Sequence, residues 1–243
     1  MLEGRNCVVT GASSGIGRAM ALTFARDGAT VWALGRRREH LDSLVEELVV
    51  GGGTATAIVA DFERDGDVES SAGRISKEAG GLVDVLVHSA GALWLGPTGS
   101  APAAELDRLH RVNVRAPLLL TRALLPCLKT ARGQVVFVNS SAALRPAADN
   151  ALYAATKQGL KAIADGIRDE VNVDGVRVLS VFAGRTATPM QERVHEHEGR
   201  PYRPELLMRP EDVVHVVLSA LTLPATAEVT DLTLRPMVKL GIV

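Results

Sequence analysis

Between Cys7 and Met20 the chain reads CVVTGASSGIGRAM, a stretch with few structural solutions. The apolar run Cys7-Val8-Val9 suits a buried strand, Thr10-Gly11 breaks it, and from Ser14-Gly15 a helical pattern begins in which Ile16, Met20 and Phe24 share one face. A helix start presents unpaired backbone N–H groups and the positive end of the helix dipole, so a strand, glycine turn and helix in this order suit a phosphate group. Gly11 fits the tight turn, Gly15 leaves room for a pyrophosphate against the backbone, and Gly17 lets the helix lie close to the strand. Ser13 and Ser14 can add hydroxyl contacts or cap the helix. The spacing is Gly-x-x-x-Gly-x-Gly rather than the standard Gly-x-Gly-x-x-Gly, which leaves an ordinary glycine turn as the alternative.

The rest of the chain repeats the alternation of strand and helix. Apolar runs at Thr30–Leu34, Thr54–Ala60, Leu82–Val87, Gln134–Asn139, Val176–Phe182 and Val229–Leu234 read as strands. Helical patterns fall between them: Leu41 to Val49, Asp67 to Ala79, a long region from Pro102 to Lys129, one from about Asn150, and Glu211 to Leu221. This order predicts an α/β fold, a doubly wound (Rossmann) parallel sheet of about seven strands with helices on both faces. At 243 residues and 47% hydrophobic content, one domain spanning 1–243 is expected. The charged, proline-containing stretch at about 185–209 reads as an irregular lid, and Leu93, Trp94 and Leu95 as a pocket wall.

Composition narrows the partners. The net charge is −1, which gives no global attraction to nucleic acid or to an anionic membrane. Cys7 and Cys127 sit in apparent core elements, no signal peptide pattern precedes the first strand, and no run reaches the ~20 residues of a membrane span, so a cytoplasmic chain is expected. The run His195-Glu196-His197-Glu198 has no third ligand at a recognisable spacing; it reads as a solvated charge cluster on the lid, and no metal is expected.

In a doubly wound sheet ligands bind beyond the carboxyl ends of the strands. Those ends carry Gly11, Arg36, Asp61, His88 to Gly91, Ser140 and Gly184. Tyr153 and Lys157, four apart at a helix start, share one face, and Ser140 closes the strand before them. An ammonium beside a phenol stabilises the phenolate, which would make Tyr153 a usable proton donor and acceptor, with Ser140 holding the same substrate oxygen. A tyrosine packed under a lysine stem is the plain alternative.

These residues together resemble the short-chain dehydrogenase/reductase family across nearly the whole chain: Thr10-Gly11-x-x-x-Gly15-Ile16-Gly17 matches its cofactor motif, and Ser140, Tyr153 and Lys157 match its catalytic spacing. The resemblance implies that Tyr153 is the general acid/base, that Ser140 positions the carbonyl or hydroxyl, and that Lys157 lowers the tyrosine pKa and binds the nicotinamide ribose. It also implies that Asn113 holds the water of a proton relay, that Asp61 meets the adenine, and that Ala90, Gly91, Gly184, Thr186 and Thr188 approach the cofactor. On the residues alone, Asn113 could equally be a capping or kink residue. His88-Ser89 and Ala183 depart from the family's Asn-Asn and Pro, and His88 is given no role.

The end of the second strand holds Gly35-Arg36-Arg37-Arg38 where an NAD site would hold an acid. Arginines before a helix oppose its dipole unless a phosphate lies among them, so Arg36 and Arg37 point to NADP(H) rather than NAD(H). A solvated basic turn, balanced by Glu39 and Asp42, is the competing reading. The expected activity is hydride transfer between NADP(H) and the carbonyl or secondary alcohol of a small, partly apolar molecule. A nucleotide-binding sensor or scaffold without turnover, and a non-redox epimerase or dehydratase on the same fold, are the alternatives. Leucines around the helix at Leu118–Leu128 and small residues Ala154, Ala155, Gly159, Ala162 and Ala164 on the next suggest a homodimer or homotetramer.

Overall fold

The structure, a computed structural model, describes residues 2–238. Seven strands, β1 (Asn6–Thr10), β2 (Thr30–Gly35), β3 (Thr54–Val59), β4 (Val85–His88), β5 (Gln134–Ser140), β6 (Arg177–Ala183) and β7 (Asp231–Leu234), form one sheet. Their spatial order is β3-β2-β1-β4-β5-β6-β7, and every pair is parallel. The chain therefore runs outward from β1 to β3 and returns to β4 on the other side of β1. The helices that follow β1 and β4 cover opposite faces of the sheet, and a crevice opens there at the strand ends.

Alternation along each strand sends side chains to opposite faces. Val8, Leu34, Leu86 and Phe137 meet Ile75 of α3 (Asp65–Glu78), Leu109 of α4 (Ala103–His110), Leu120 and Leu124 of α5 (Ala116–Ala131) and Leu160 of α6 (Ala151–Val171). Val9, Val31, Val87 and Val136 face Met20 and Phe24 of α1 (Gly15–Arg26), Leu41 and Leu44 of α2 (Arg38–Val50) and Val213 and Val217 of a helix at Pro210–Leu221. Strands covered on both sides must be apolar throughout, which is why β1, β4 and β5 read as continuous hydrophobic runs.

Several boundaries differ from the sequence reading for identifiable reasons. Leu82 and Asp84 precede β4: Leu82 is exposed, and the Asp84 carboxylate accepts hydrogen bonds from the Asn6 N–H (2.9 Å) and Arg5 (2.5 Å). The long region after Pro102 is interrupted by a wide π-type turn at Arg111–Arg115 between α4 and α5. The stretch 185–209 is not irregular. It contains α7 (Pro189–His197), because Pro189 occupies the first helical position, where its missing N–H costs nothing, and the Thr188 hydroxyl accepts from the Gln191 N–H. The remaining long helix, α8, is Pro210–Leu221.

The leucine-rich α5 is better covered than its sequence suggests, because α3 packs against it from the side, with Cys127 Sγ 3.2 Å from Ser76 Oγ. Leu119, Leu120, Leu124 and Leu128 are buried, and only Leu118 among these leucines is exposed. No helix among the described residues is long and apolar enough to cross a membrane.

Candidate active site

A cleft of about 1140 Å³ runs along the carboxyl ends of the strands. Gly11 sits at its floor with φ +68°, and a Cβ there would come within 2.7 Å of the Ala90 nitrogen. Glycine is thus required both for the turn and for the approach of the β4 loop. Thr10 fastens that loop: its hydroxyl accepts from the N–H groups of Ser89 and Ala90, each at 3.1 Å. Gly17 does not line the cleft. Its added Cβ would lie 2.6 Å from the Gly11 carbonyl, so it seats α1 against the turn.

Ser14 is the N-cap residue of α1, yet its side chain makes no capping hydrogen bond. The capping alternative for Ser14 is therefore not realised, and the first turn of α1 faces the cleft at Gly15 and Ile16 without a side-chain acceptor. Ser13, Ser14, Gly15 and Ile16 all line the cleft, with Gly184, Thr186 and Thr188 across from them. Thr188 Cγ2 would be 3.0 Å from a Cβ on Gly15.

At one end stand Arg36, Arg37, Asp61 and Phe62. Arg36 is 62% exposed and 3.6 Å from Glu63, the acid after β3, rather than from Glu39 or Asp42. Arg37 Nη2 donates to Ser13 Oγ at 3.4 Å, and Gly35 leaves the gap beside Ser13 open. The Asp61 carboxylate accepts from the Glu63 N–H at 3.1 Å. Two basic side chains, an open glycine turn and an uncapped helix start form a donor set that fits a dinucleotide bearing an extra phosphate.

At the other end Ser140, Tyr153 and Lys157 converge. Strand β5 and helix α6 are tied together there: Lys157 Nζ donates to the Val138 carbonyl (3.0 Å), and Asn139 Nδ2 donates to the Lys157 carbonyl (3.0 Å). The sequence signal for Asn139, absent from the reading above, is a lone amide in the run VVFVNS next to Ser140. Burial holds the Lys157 ammonium down to about 8. Burial also raises the Tyr153 phenol above its ordinary value, with Ser140 acting in the opposite direction. The direction is opposite to the expected lowering because burial dominates; Lys157 Nζ lies 5.8 Å from the ring centroid.

Asn113 lies in the π-type turn, fully buried and outside the cleft lining. Its Oδ1 accepts from the Ala92 N–H (2.8 Å), and its Nδ2 donates to the Ala92 carbonyl (2.9 Å) and to Thr156 (3.0 Å). The side chain clamps the loop after Gly91 onto α6. Ala90, Gly91, Leu93 and Leu95 line the cleft, whereas Trp94 turns away and covers Gly96.

The histidines separate. His195 is not part of a solvated cluster: it is 2% exposed, its Nδ1 is 2.9 Å from the Gln191 carbonyl, and its ring meets Tyr202 edge-on. No group of His, Cys, Asp and Glu among the described residues could hold a metal. His88 stacks on Phe137 and bonds Thr121 Oγ1 at 2.8 Å. Burial, with the Lys157 ammonium adding to it, pushes its pKa down from 6.5 to about 3. Because the unfolded chain takes up this proton more readily, His88 removes stability as pH falls from about 6.5 towards 3, at about 1.4 kcal/mol per pH unit. Melting curves should therefore show wild type losing more stability than His88→Asn between about pH 6.5 and 4.5; parallel losses would remove His88 as the cause.

Residues 5–199 match the family model described as short chain dehydrogenase. A short chain dehydrogenase of Pseudocercospora fijiensis is 33% identical over 231 residues, covering 87% of this chain and 74% of its own. Among solved structures, a metagenomic short-chain oxidoreductase in complex with NADP superposes with a TM-score of 0.83 at 32% identity, covering 98% of this chain and 99% of its own. An alcohol dehydrogenase from Thermococcus sibiricus complexed with 5-hydroxy-NADP does so with a TM-score of 0.87 at 26% identity, covering 97% of each chain.

Proposed function

The chain belongs to the short-chain dehydrogenase family, and from that premise we propose that it is an NADP(H)-dependent oxidoreductase acting on the carbonyl or secondary alcohol of a small, partly apolar molecule. The observation that carries this reading is the convergence of Ser140, Tyr153 and Lys157 at one end of a cleft whose other end holds Arg36 and Arg37. Two solved relatives that bind NADP or its 5-hydroxy derivative support the choice of cofactor.

When bound, the nicotinamide supplies or takes up the hydride. The chain's own residues handle the oxygen and its proton. In reduction, Tyr153 donates a proton to the carbonyl oxygen as the hydride arrives at carbon, and in oxidation it takes that proton back. A phenol held protonated by burial suits the donor role at neutral pH. Ser140 orients the same oxygen, its place set by the end of β5. Lys157, fixed by Val138, supplies positive charge to the phenolate formed and a donor for the ribose. Both N–H groups of the Asn113 amide are committed, and the water of a proton relay is assigned to this residue on the family match. Along the cleft, Gly11, Ser13, Ser14, Gly15 and Ile16 take the pyrophosphate, Asp61 the adenine, and Ala90, Gly91, Gly184, Thr186 and Thr188 the nicotinamide half. The chain works as one catalytic domain, with 185–209 closing over the substrate.

Tyr153→Phe should keep the fold and cofactor affinity while lowering turnover at least ~100-fold. A variant with wild-type turnover in an NADPH absorbance assay against a carbonyl panel would refute the assignment. The exposed Arg36–Glu63 pair is weak enough for a phosphate to displace it. Arg36→Ala should then weaken NADPH binding roughly 10- to 150-fold and leave NADH nearly unchanged. Fluorescence titration with both cofactors decides this, since equal losses, or a wild type that prefers NADH, would be incompatible with a phosphate site.

The assembly reading rests on a narrower surface than the sequence suggested. Leu106 of α4 and Leu118 of α5 are exposed, as are Ala155 and Ala162 of α6, whose small side chains permit close helix packing. We propose a symmetric pairing through this face, extended to a dimer or tetramer. Light scattering at micromolar concentration should give at least twice the chain mass, and a monomer would count against it.

A further inference from the structure

The basic side chains that line the substrate end of the cleft are nearly all engaged. Lys157 bonds the Val138 carbonyl, Arg185 is held by both carboxylate oxygens of Glu198, and His197 stands 3.8 Å from Asp149. Arg193 differs: among the described residues it has no carboxylate within ion-pair distance, although it too lines the cleft. It lies on the face of α7 that carries Met190, Val194 and His197, positions spaced to fall on one side of a helix, and all four border the cleft.

The two ends of α7 are anchored at different depths. Met190 Cε and Lys157 Nζ come within 3.8 and 4.0 Å of the point a Cβ on Gly91 would occupy, so Met190 is beside the reacting end. His197, at the other end, faces Asp149 on the β5–α6 loop, whose backbone carbonyl also accepts from the Gly96 N–H at 2.8 Å. Between Met190 and this mouth, Arg193 is one helical turn out, about 4.5 Å along the axis from Met190. Leu93, Leu95 and Val194 line the same cleft, and Arg193 itself is exposed.

We propose that Arg193 determines specificity by binding a carboxylate on the substrate, which is therefore an oxo acid, or the matching hydroxy acid, with an apolar stretch between the reacting carbon and the carboxylate. The proposal rests on the oxidoreductase reading above. The guanidinium fork offers two parallel donors that match two carboxylate oxygens. Of the acids nearby, Glu198 is occupied by Arg185, and Glu192 and Glu196, which flank Arg193 on α7, are not among the residues lining the cleft.

The test uses the full chain with NADPH and two sets of probes. In turnover, levulinate and its longer homologues are each compared with their methyl esters. Wild type should favour the acid of at least one pair, and Arg193→Leu should reduce that acid-to-ester preference in kcat/KM roughly 10- to 100-fold, mostly through KM, with Arg193→Lys retaining part of it. In binding, calorimetry compares octanoate with octanamide. Wild type should bind the carboxylate more tightly, and Arg193→Leu should abolish the difference. If no oxo compound is turned over, the oxidoreductase reading fails, and the binding arm still decides the anion site. Equal binding of octanoate and octanamide by wild type, or a preference untouched by Arg193→Leu, would overturn the proposal.

Discussion

The contact between the first glycine turn and the loop after the fourth strand is the constraint on which the rest depends. A backbone can pass within 2.7 Å of where a side chain would begin only if that side chain is absent, and Gly11 meets this condition against Ala90. Thr10 converts proximity into a joint by accepting two N–H groups from the neighbouring loop. Since β1 and β4 flank the point where the sheet reverses direction, this joint sets the floor of the cleft. Gly17 then lets α1 sit directly over the turn, with its uncapped first turn aimed into the cleft.

A second joint fixes the chemistry. Ser140 ends a strand and Tyr153 begins a helix, and a loop of intervening residues alone would not hold them in register. Asn139 and Lys157 do so, one bonding to the helix backbone and the other to the strand backbone. The same burial that orders this corner makes charge expensive within it. It lowers Lys157 and His88 and raises Tyr153, so every titratable group here is biased towards its neutral form. Asn113 adds a third tie, from the π-type turn to the loop after Gly91 and to Thr156.

Much of this was legible in the sequence. Apolar runs alternating with helical periodicity report a sheet buried on both faces; the lining residues Gly11, Arg36, Asp61 and Ser140 could be placed because strand ends gather at one edge, and Tyr153 and Lys157 because their four-residue spacing puts them on one face of the helix that follows β5. Boundaries failed where local signals have two meanings. Proline stops a helix in its interior but begins one at its first position, so Pro189 by itself does not announce α7. The charged neighbours of His195 suggest a solvated residue, yet its position on α7 turns it inward against Tyr202.

What the sequence determined by itself is the order of elements, the identity of the turn glycines and the residue types at the strand ends, since periodicity and backbone sterics are local properties. The tertiary structure alone decided which charges find partners. Arg36 meets Glu63 from another strand end rather than the acids beside it in the chain, and Arg168 is buried to bond the Val178 and Thr230 carbonyls. It also decided the direction of the Tyr153 shift, because desolvation depends on everything packed around a group, whereas the spacing of Tyr153 and Lys157 reports only that the two are near.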